Sequence, residues 1–241
     1  MIAISPGRAA APKTLESGTP GHMFAYVCRD YLGPAPQAFL VELGAGVEIP
    51  PHFHRVDEFQ VVMAGDGSLG KHAIAPVTAH FAEAYTPYGP IRVGEHGLAF
   101  FTLRAAHDAG ALYMPGSRAQ LIRKARRNVA GGAPLGAARP ADTSPPPGHG
   151  GVTPLIEPHA DGLAAWLVSA DGGAAIAVPA GTGGGRYYLV AAGDVDLDGE
   201  RLLRWSCVWT GPDDSPPALA AGAAGAHVVI LQFPLSEAGA R

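Results

Sequence analysis

Apolar residues in this chain fall into short runs bounded by Gly, Pro or Asp, and they rarely recur at the 3–4-residue spacing of an amphipathic helix. Gln37–Leu43, Phe59–Met63 and Leu98–Leu103 are such runs, rich in β-branched and aromatic side chains, and they predict strands. Val77–Phe81 predicts another. Trp166–Val168, Tyr187–Val190 and His227–Phe233 repeat the pattern further along. Only Ser117–Arg127, with Leu121 and Ile122 among Arg and Ala, has helical character, enough for a turn or two of solvated basic helix. The expected class is all-β.

A shift of 128 positions lays the first set of runs on the second: Gly65-Asp66 falls on Gly193-Asp194, Ala64 on Ala192, Val62 on Val190, Pro51 on Pro179, Gly94 on Gly222 and Gly97 on Gly225. A chain with 33 glycines aligns some of them by chance. Here strands and turns agree at one gapless offset, which points to an internal duplication. Between the copies, Asn128 to Gly151 has no periodic apolar residues and four prolines after Arg139. It therefore reads as a linker or surface strap. The expected domains are residues 1–127, a linker at 128–151, and residues 152–241.

Composition narrows the function classes. Among 241 residues, 17 Lys+Arg stand against 21 Asp+Glu, a net charge of −4, and the only basic run is Arg123-Lys124-Ala125-Arg126-Arg127. A nucleic-acid footprint is not expected. Gly 33 and Pro 23 make up almost a quarter of the chain, as punctuation between short strands and in the linker. No run is long enough for a membrane span, and Met1–Arg8 lacks the charged start and unbroken apolar stretch of a signal peptide. Cys28 and Cys207 stand 179 positions apart with no Cys-x-x-Cys, so neither a disulfide framework nor a thiolate metal site is expected. The expectation is a reduced, cytoplasmic chain.

The chemistry lies in the first copy. Gly46 to Gly65 has the form G-x5-H-x-H-x3-E-x6-G, with His52, His54 and Glu58 at its polar positions. Its chance expectation is on the order of one in several thousand. In an extended segment residues i and i+2 face the same way, so His52 and His54 present both imidazoles to one side. After a short turn Glu58 opens the next strand, with Gln60 and Val62 on its face. Two imidazoles and a carboxylate from adjacent strands suit a divalent transition metal with open positions for a substrate.

In this window the sequence resembles the cupin family, and the duplication makes the whole chain similar to a bicupin. The resemblance implies two tandem jelly-roll barrels. It also implies that His52, His54 and Glu58 bind a metal, most often iron, manganese, nickel, copper or zinc. The family's second motif, G-x5-P-x-G-x2-H, is incomplete here. Thr86-Pro87-Tyr88-Gly89 supplies the Pro-x-Gly, but Phe81 replaces the leading glycine and Arg92 stands where the fourth ligand, a histidine, is expected. A guanidinium cannot coordinate a cation.

Either the site is a three-ligand triad or another histidine completes it, with His80 the first candidate and His72 and His96 behind it. Arg92 has two readings: a clamp for a substrate carboxylate if it points into the barrel, or a surface residue if it points out. At the 128-residue offset His52, His54 and Glu58 become Ala180, Thr182 and Arg186, so the second copy is expected to hold no metal. The run Asp194-Val-Asp-Leu-Asp-Gly199 lacks the glutamate of a calcium loop, and Gly199-Glu200 reads as a hairpin turn.

The expected function is a metal-binding bicupin, a dioxygenase- or isomerase-like enzyme acting on a small polar or aromatic substrate that Gln60 and Arg92 would bind. The alternative is a non-catalytic small-molecule-binding or structural cupin. Partners are expected to be a small molecule and a second copy in a homodimer, with neither nucleic acid nor membrane.

Overall fold

The structure is a computed structural model and describes residues 2–4, 13–14, 20–25, 36–122, 126–132 and 150–235. Cys28, the basic residues Arg123 and Lys124, and linker positions 133–149 lie outside the described residues. The first strands in chain order are β1 (Ile2–Ile4), β2 (Lys13–Thr14), β3 (His22–Ala25), β4 (Gln37–Leu43), β5 (Glu48–Ile49) and β6 (His52–Phe53). They continue with β7 (Glu58–Leu69), β8 (His72–Ile74), β9 (Thr78–Ala82), β10 (Ile91–Arg104), β11 (Leu112–Tyr113) and β12 (Asn128–Gly132). The remainder are β13 (Gly151–Ile156), β14 (Ala164–Ala170), β15 (Arg186–Leu197), β16 (Glu200–Leu203), β17 (Cys207–Thr210) and β18 (Leu219–Gln232). Among the described residues of the weakly helical stretch, only Arg118–Gln120 forms a 3-10 turn, which buries no residue and so has no packing to extend it.

The chain divides into two compact units, residues 10–140 and residues 1–9 with 141–241. In the first unit a 9-stranded sheet runs β12-β9-β7-β10-β4-β3-β2, with β5 on β10 and β8 on β7. Its core gathers Phe39, Val41, Val62, Ile91, Leu98 and Phe100. In the second, a 7-stranded sheet runs β1-β17-β15-β18-β14-β13, with β16 on β15, around Trp166, Val168, Tyr188, Val190, Val228 and Ile230. Each such side chain contributes about 1.5–3 kcal/mol on full burial, so two separate cores support two units.

The duplication is built into the backbone. Both bounds of β15 lie 128 positions beyond those of β7, and both bounds of β18 lie 128 beyond those of β10. Each long pair carries a bulge at the matching place: Met63 is skipped between Val62↔Phe100 and Ala64↔Ala99, and Ala191 between Val190↔Val228 and Ala192↔His227. Gly65 (φ 80°) and Gly193 (φ 69°) both adopt the left-handed conformation, and a Cβ on either would fall on the carbonyl oxygen of Gly97 or Gly225. The hairpin turn lies one residue earlier than expected: Asp198 and Gly199 form it, both at positive φ, and Glu200 already pairs with Leu197.

Two boundaries differ from expectation. Asn128–Gly132, read as the start of the linker, is an edge strand on β9, with Val129 opposite Phe81. Strand pairing needs only backbone donors and acceptors, so a segment of Ala and Gly without an apolar face can cover a sheet edge. The equivalent edge of the second unit, β17, is covered by Ile2–Ile4, which places the start of the chain in that unit and not in the 1–127 domain. No described helix is long and apolar enough to cross a membrane.

Candidate functional site

His52 lies in β6, His54 two residues on, and Glu58 opens β7, so alternation along one extended segment and a short turn bring all three together. All are buried. Each imidazole has its Nδ1 tied to an acceptor: His52 to the carbonyl oxygen of Pro50 at 2.8 Å and His54 to Asp108 Oδ2 at 2.7 Å. His54 Nε2 stands 3.5 Å from Glu58 Oε2 and 3.3 Å from the NH2 group of Arg104.

Two further residues close around Glu58. Arg104, at the end of β10, donates from Nε to Oε2 at 2.7 Å and stands 2.5 Å away through its NH2 group. The Tyr88 hydroxyl donates to Oε1 at 2.6 Å and accepts from Gln60 Nε2 at 3.1 Å. Burial alone would raise the Glu58 carboxyl, but His54, the guanidinium and the Tyr88 hydroxyl hold it below its ordinary value. Burial pushes His52 down to about 4, against which its bond to Pro50 acts only partly, so this imidazole is neutral. Burial and the neighbouring Glu58 charge raise the Tyr88 hydroxyl well above its usual range, keeping it a donor. Asp108 is held at about 2: burial opposes ionisation, but its bond from His54, the charges of His54 and Arg104, and the Gly110 N–H outweigh it.

Comparison with known proteins identifies the fold. No protein-family model and no curated protein matches the sequence. Solved structures do. A candidate dioxygenase of Nostoc punctiforme superposes with a TM-score of 0.61 at 15% identity, over 94% of this chain and 78% of that one. Oxalate decarboxylase of Bacillus subtilis, with its Mn(II) centers, gives 0.61 at 11% identity, over 98% and 78%. Escherichia coli pirin YhhW, in complex with nickel(II), gives 0.57 at 10% identity, over 98% and 99%. The chain shares the fold of these structures, two tandem jelly-roll barrels. At these identities the likeness establishes architecture, and the chemistry rests on this chain's own residues.

Within the first barrel the other expected residues separate. Gln60 is buried at the site, and its amide bridges Tyr88 to His80. His80 has Gln60 Oε1 at 3.2 Å from Nδ1 and Asn128 Oδ1 at 2.9 Å from Nε2, so both ring nitrogens are engaged and it is no fourth ligand. His72 is exposed, and His96 is an exposed partner of Asp66. Arg92 points outward and pairs with Glu48 at 2.8 Å, which corrects the inward, substrate-clamping reading. The reason is an irregularity in β10. Its register shifts between Val93 and Leu98, so Ile91 and Val93 face the core on odd numbers while Leu98 and Phe100 face it on even ones. Arg92 therefore turns away from the barrel that Arg104, of the same parity, enters.

Arg104, Asp108, Tyr88 and Gln37 are the site residues that sequence reasoning missed. Gln37 Oε1 accepts from the Asp108 backbone N–H at 3.1 Å and from Arg104 at 3.4 Å, fixing both. Arg104 left a faint signal as a cation ending the apolar run Leu98–Leu103, and Tyr88 sat inside the quoted Pro-x-Gly segment. Asp108, in a loop, left none.

The donor set fits a divalent transition metal. Two imidazoles, each with Nδ1 bonded to an acceptor, and one ionised carboxylate form the usual ligand and outer-partner pattern. His54 Nε2 and Glu58 Oε2 face one another at 3.5 Å, and the Arg104 guanidinium lies within reach of both, with NH2 3.3 Å from His54 Nε2 and Nε donating to Glu58 Oε2. A cation here would share Glu58 with Arg104: among the described residues no three His, Cys, Asp or Glu side chains are already gathered to hold a metal. A cavity of about 80 Å³ adjoins the cluster, walled by Phe39, Phe100 and Tyr113.

Proposed function

We propose that the first cupin barrel holds a divalent transition metal, iron, manganese, nickel, copper or zinc, on His52, His54 and Glu58. It acts there as a dioxygenase- or isomerase-like enzyme on a small polar or aromatic substrate. The observation that carries this reading is the anchoring of the two imidazoles, whose Nδ1 atoms bond to Pro50 and Asp108, with His54 Nε2 turned toward Glu58 at 3.5 Å. A bound metal would polarise a substrate oxygen at its open coordination positions. Arg104, lining the same cavity, holds an anionic end of the substrate. Phe39, Phe100 and Tyr113 pack its apolar part, and Tyr88 with Gln60 fixes the Glu58 carboxylate. The substrate is a small molecule, and the chain works as a cytoplasmic homodimer.

A second reading, binding or structural support without turnover, is favoured by the closed Glu58–Arg104 pair. Metal analysis of protein purified without a nickel column separates the two. Iron or manganese near one per chain, with oxygen uptake on catechol, thiol or keto-acid panels, supports the enzyme. Non-exchangeable zinc, or no metal, supports the second reading. His52→Ala and Glu58→Ala should each empty the site while the fold persists, whereas Arg186→Ala should leave metal content unchanged; retained metal in the first two would refute the ligand assignment.

A further inference from the structure

The second barrel retains the pocket and reverses its charge. At the 128-residue offset His54, Glu58, Gln60 and Tyr88 fall on Thr182, Arg186, Tyr188 and Pro216, and all four line a cavity of about 100 Å³ in the second unit. The Glu58–Arg104 contact recurs as Arg186–Gln232 on the same strand pair, with Arg186 Nε donating to Gln232 Oε1 at 2.7 Å. The remaining bonds of this guanidinium run to the carbonyl oxygens of Pro179 (3.0 Å) and Gly181 (2.7 Å). All three partners are neutral. Arg186 is only 7% exposed, and among the described residues no carboxylate lies within ion-pair distance of it. Two of its five N–H groups remain unused.

A second group points the same way. Tyr188 is 1% exposed, it lines this cavity, and its hydroxyl has no hydrogen-bond partner. A buried donor left unpaired is costly, and a buried cation without a counter-charge more so. One anion in the cavity relieves both. We propose that this cavity binds a small monoanion, the carboxylate end of a small organic acid, between the Arg186 guanidinium and the Tyr188 hydroxyl. Asp214 is exposed on the rim, with Oδ2 accepting from the Gly211 N–H at 2.8 Å, and its charge disfavours multiply charged anions. The inference is independent of the metal reading, since it uses no residue of the first barrel.

The test titrates the full-length protein with sodium acetate, and in separate arms with inorganic phosphate and with sodium chloride at matched ionic strength, reading thermal unfolding and calorimetric heat. Acetate should give a saturable rise in Tm that chloride does not. Tyr188→Phe should fold at least as stably without acetate and bind acetate roughly tenfold more weakly, as expected for loss of one charge-assisted hydrogen bond. Arg186→Gln should abolish the response, and Asp214→Asn should strengthen it. Glu58→Ala should keep it. No saturable response, unaltered acetate affinity in Tyr188→Phe, stronger binding of phosphate than of acetate, or a response lost in Glu58→Ala but kept in Arg186→Gln would each overturn the assignment.

Discussion

Arg104→Met removes a guanidinium from a site where its side chain and that of Glu58 are each 1% exposed, leaving an unbranched apolar chain of similar reach. Two unit charges about 4 Å apart at an effective dielectric of about 20 interact by about 4 kcal/mol. Stranding one partner of a buried pair costs about 3–5 kcal/mol. In a unit of this size that corresponds to a fall in Tm of roughly 10–20 °C.

Glu58→Gln strands the guanidinium and should cost a similar amount. The double variant leaves two neutral groups and should lose far less than the sum, giving a coupling energy of about 3–4 kcal/mol. Arg104 also contacts His54 and Gln37, which the cycle subtracts because both terms recur in the double variant. Urea denaturation of metal-free protein, followed by circular dichroism, measures all four corners. A coupling below about 1 kcal/mol would refute a shared buried ion pair. In Arg104→Met, a divalent metal should restore stability by taking the guanidinium's place at Glu58, by about 2.7 kcal/mol at a hundred times its Kd.

Acidification should weaken the first barrel in a definite window. Burial lowers His52 from 6.5 to about 4, so the unfolded chain takes up the proton first; the contribution is complete above pH 6.5 and lost as pH falls to 4. The slope is at most about 1.4 kcal/mol per pH unit, and His52→Gln should remove it from urea midpoints measured across that range; an unchanged slope counts against the assignment. Gly65→Ala and Gly193→Ala should each cost more than about 2 kcal/mol, combining a left-handed backbone with a clash against a carbonyl, whereas Gly44→Ala, with open space around it, should stay within about 0.5 kcal/mol. Thermal denaturation checks all three, and equal effects would remove the argument from close strand approach.

Much of the architecture was legible because its determinants are local or repeated. Predicted runs such as Gln37–Leu43 coincide with strands, and Leu98–Leu103 lies within β10, since short apolar runs rich in β-branched and aromatic residues between turn residues are buried most readily as strands. Asn128–Gly132 and Ile2–Ile4 were not read as barrel strands, because an edge strand held by backbone bonds leaves little trace in side-chain pattern.

The same division runs through the site. His52, His54 and Glu58 lie within seven consecutive positions, so strand alternation and one short turn bring them together whatever the rest of the chain does. Arg104 and Asp108 stand 46 and 54 positions from the residues they bind, Glu58 and His54, and reach them only across a folded sheet. Sequence alone therefore determined two related barrels and a pair of imidazoles with a carboxylate in the first. The tertiary structure decided that a register shift turns Arg92 out while Arg104 turns in, and that Arg186 lies buried without a counter-charge, because side-chain direction and electrostatic surroundings depend on strand register and on partners distant in the chain.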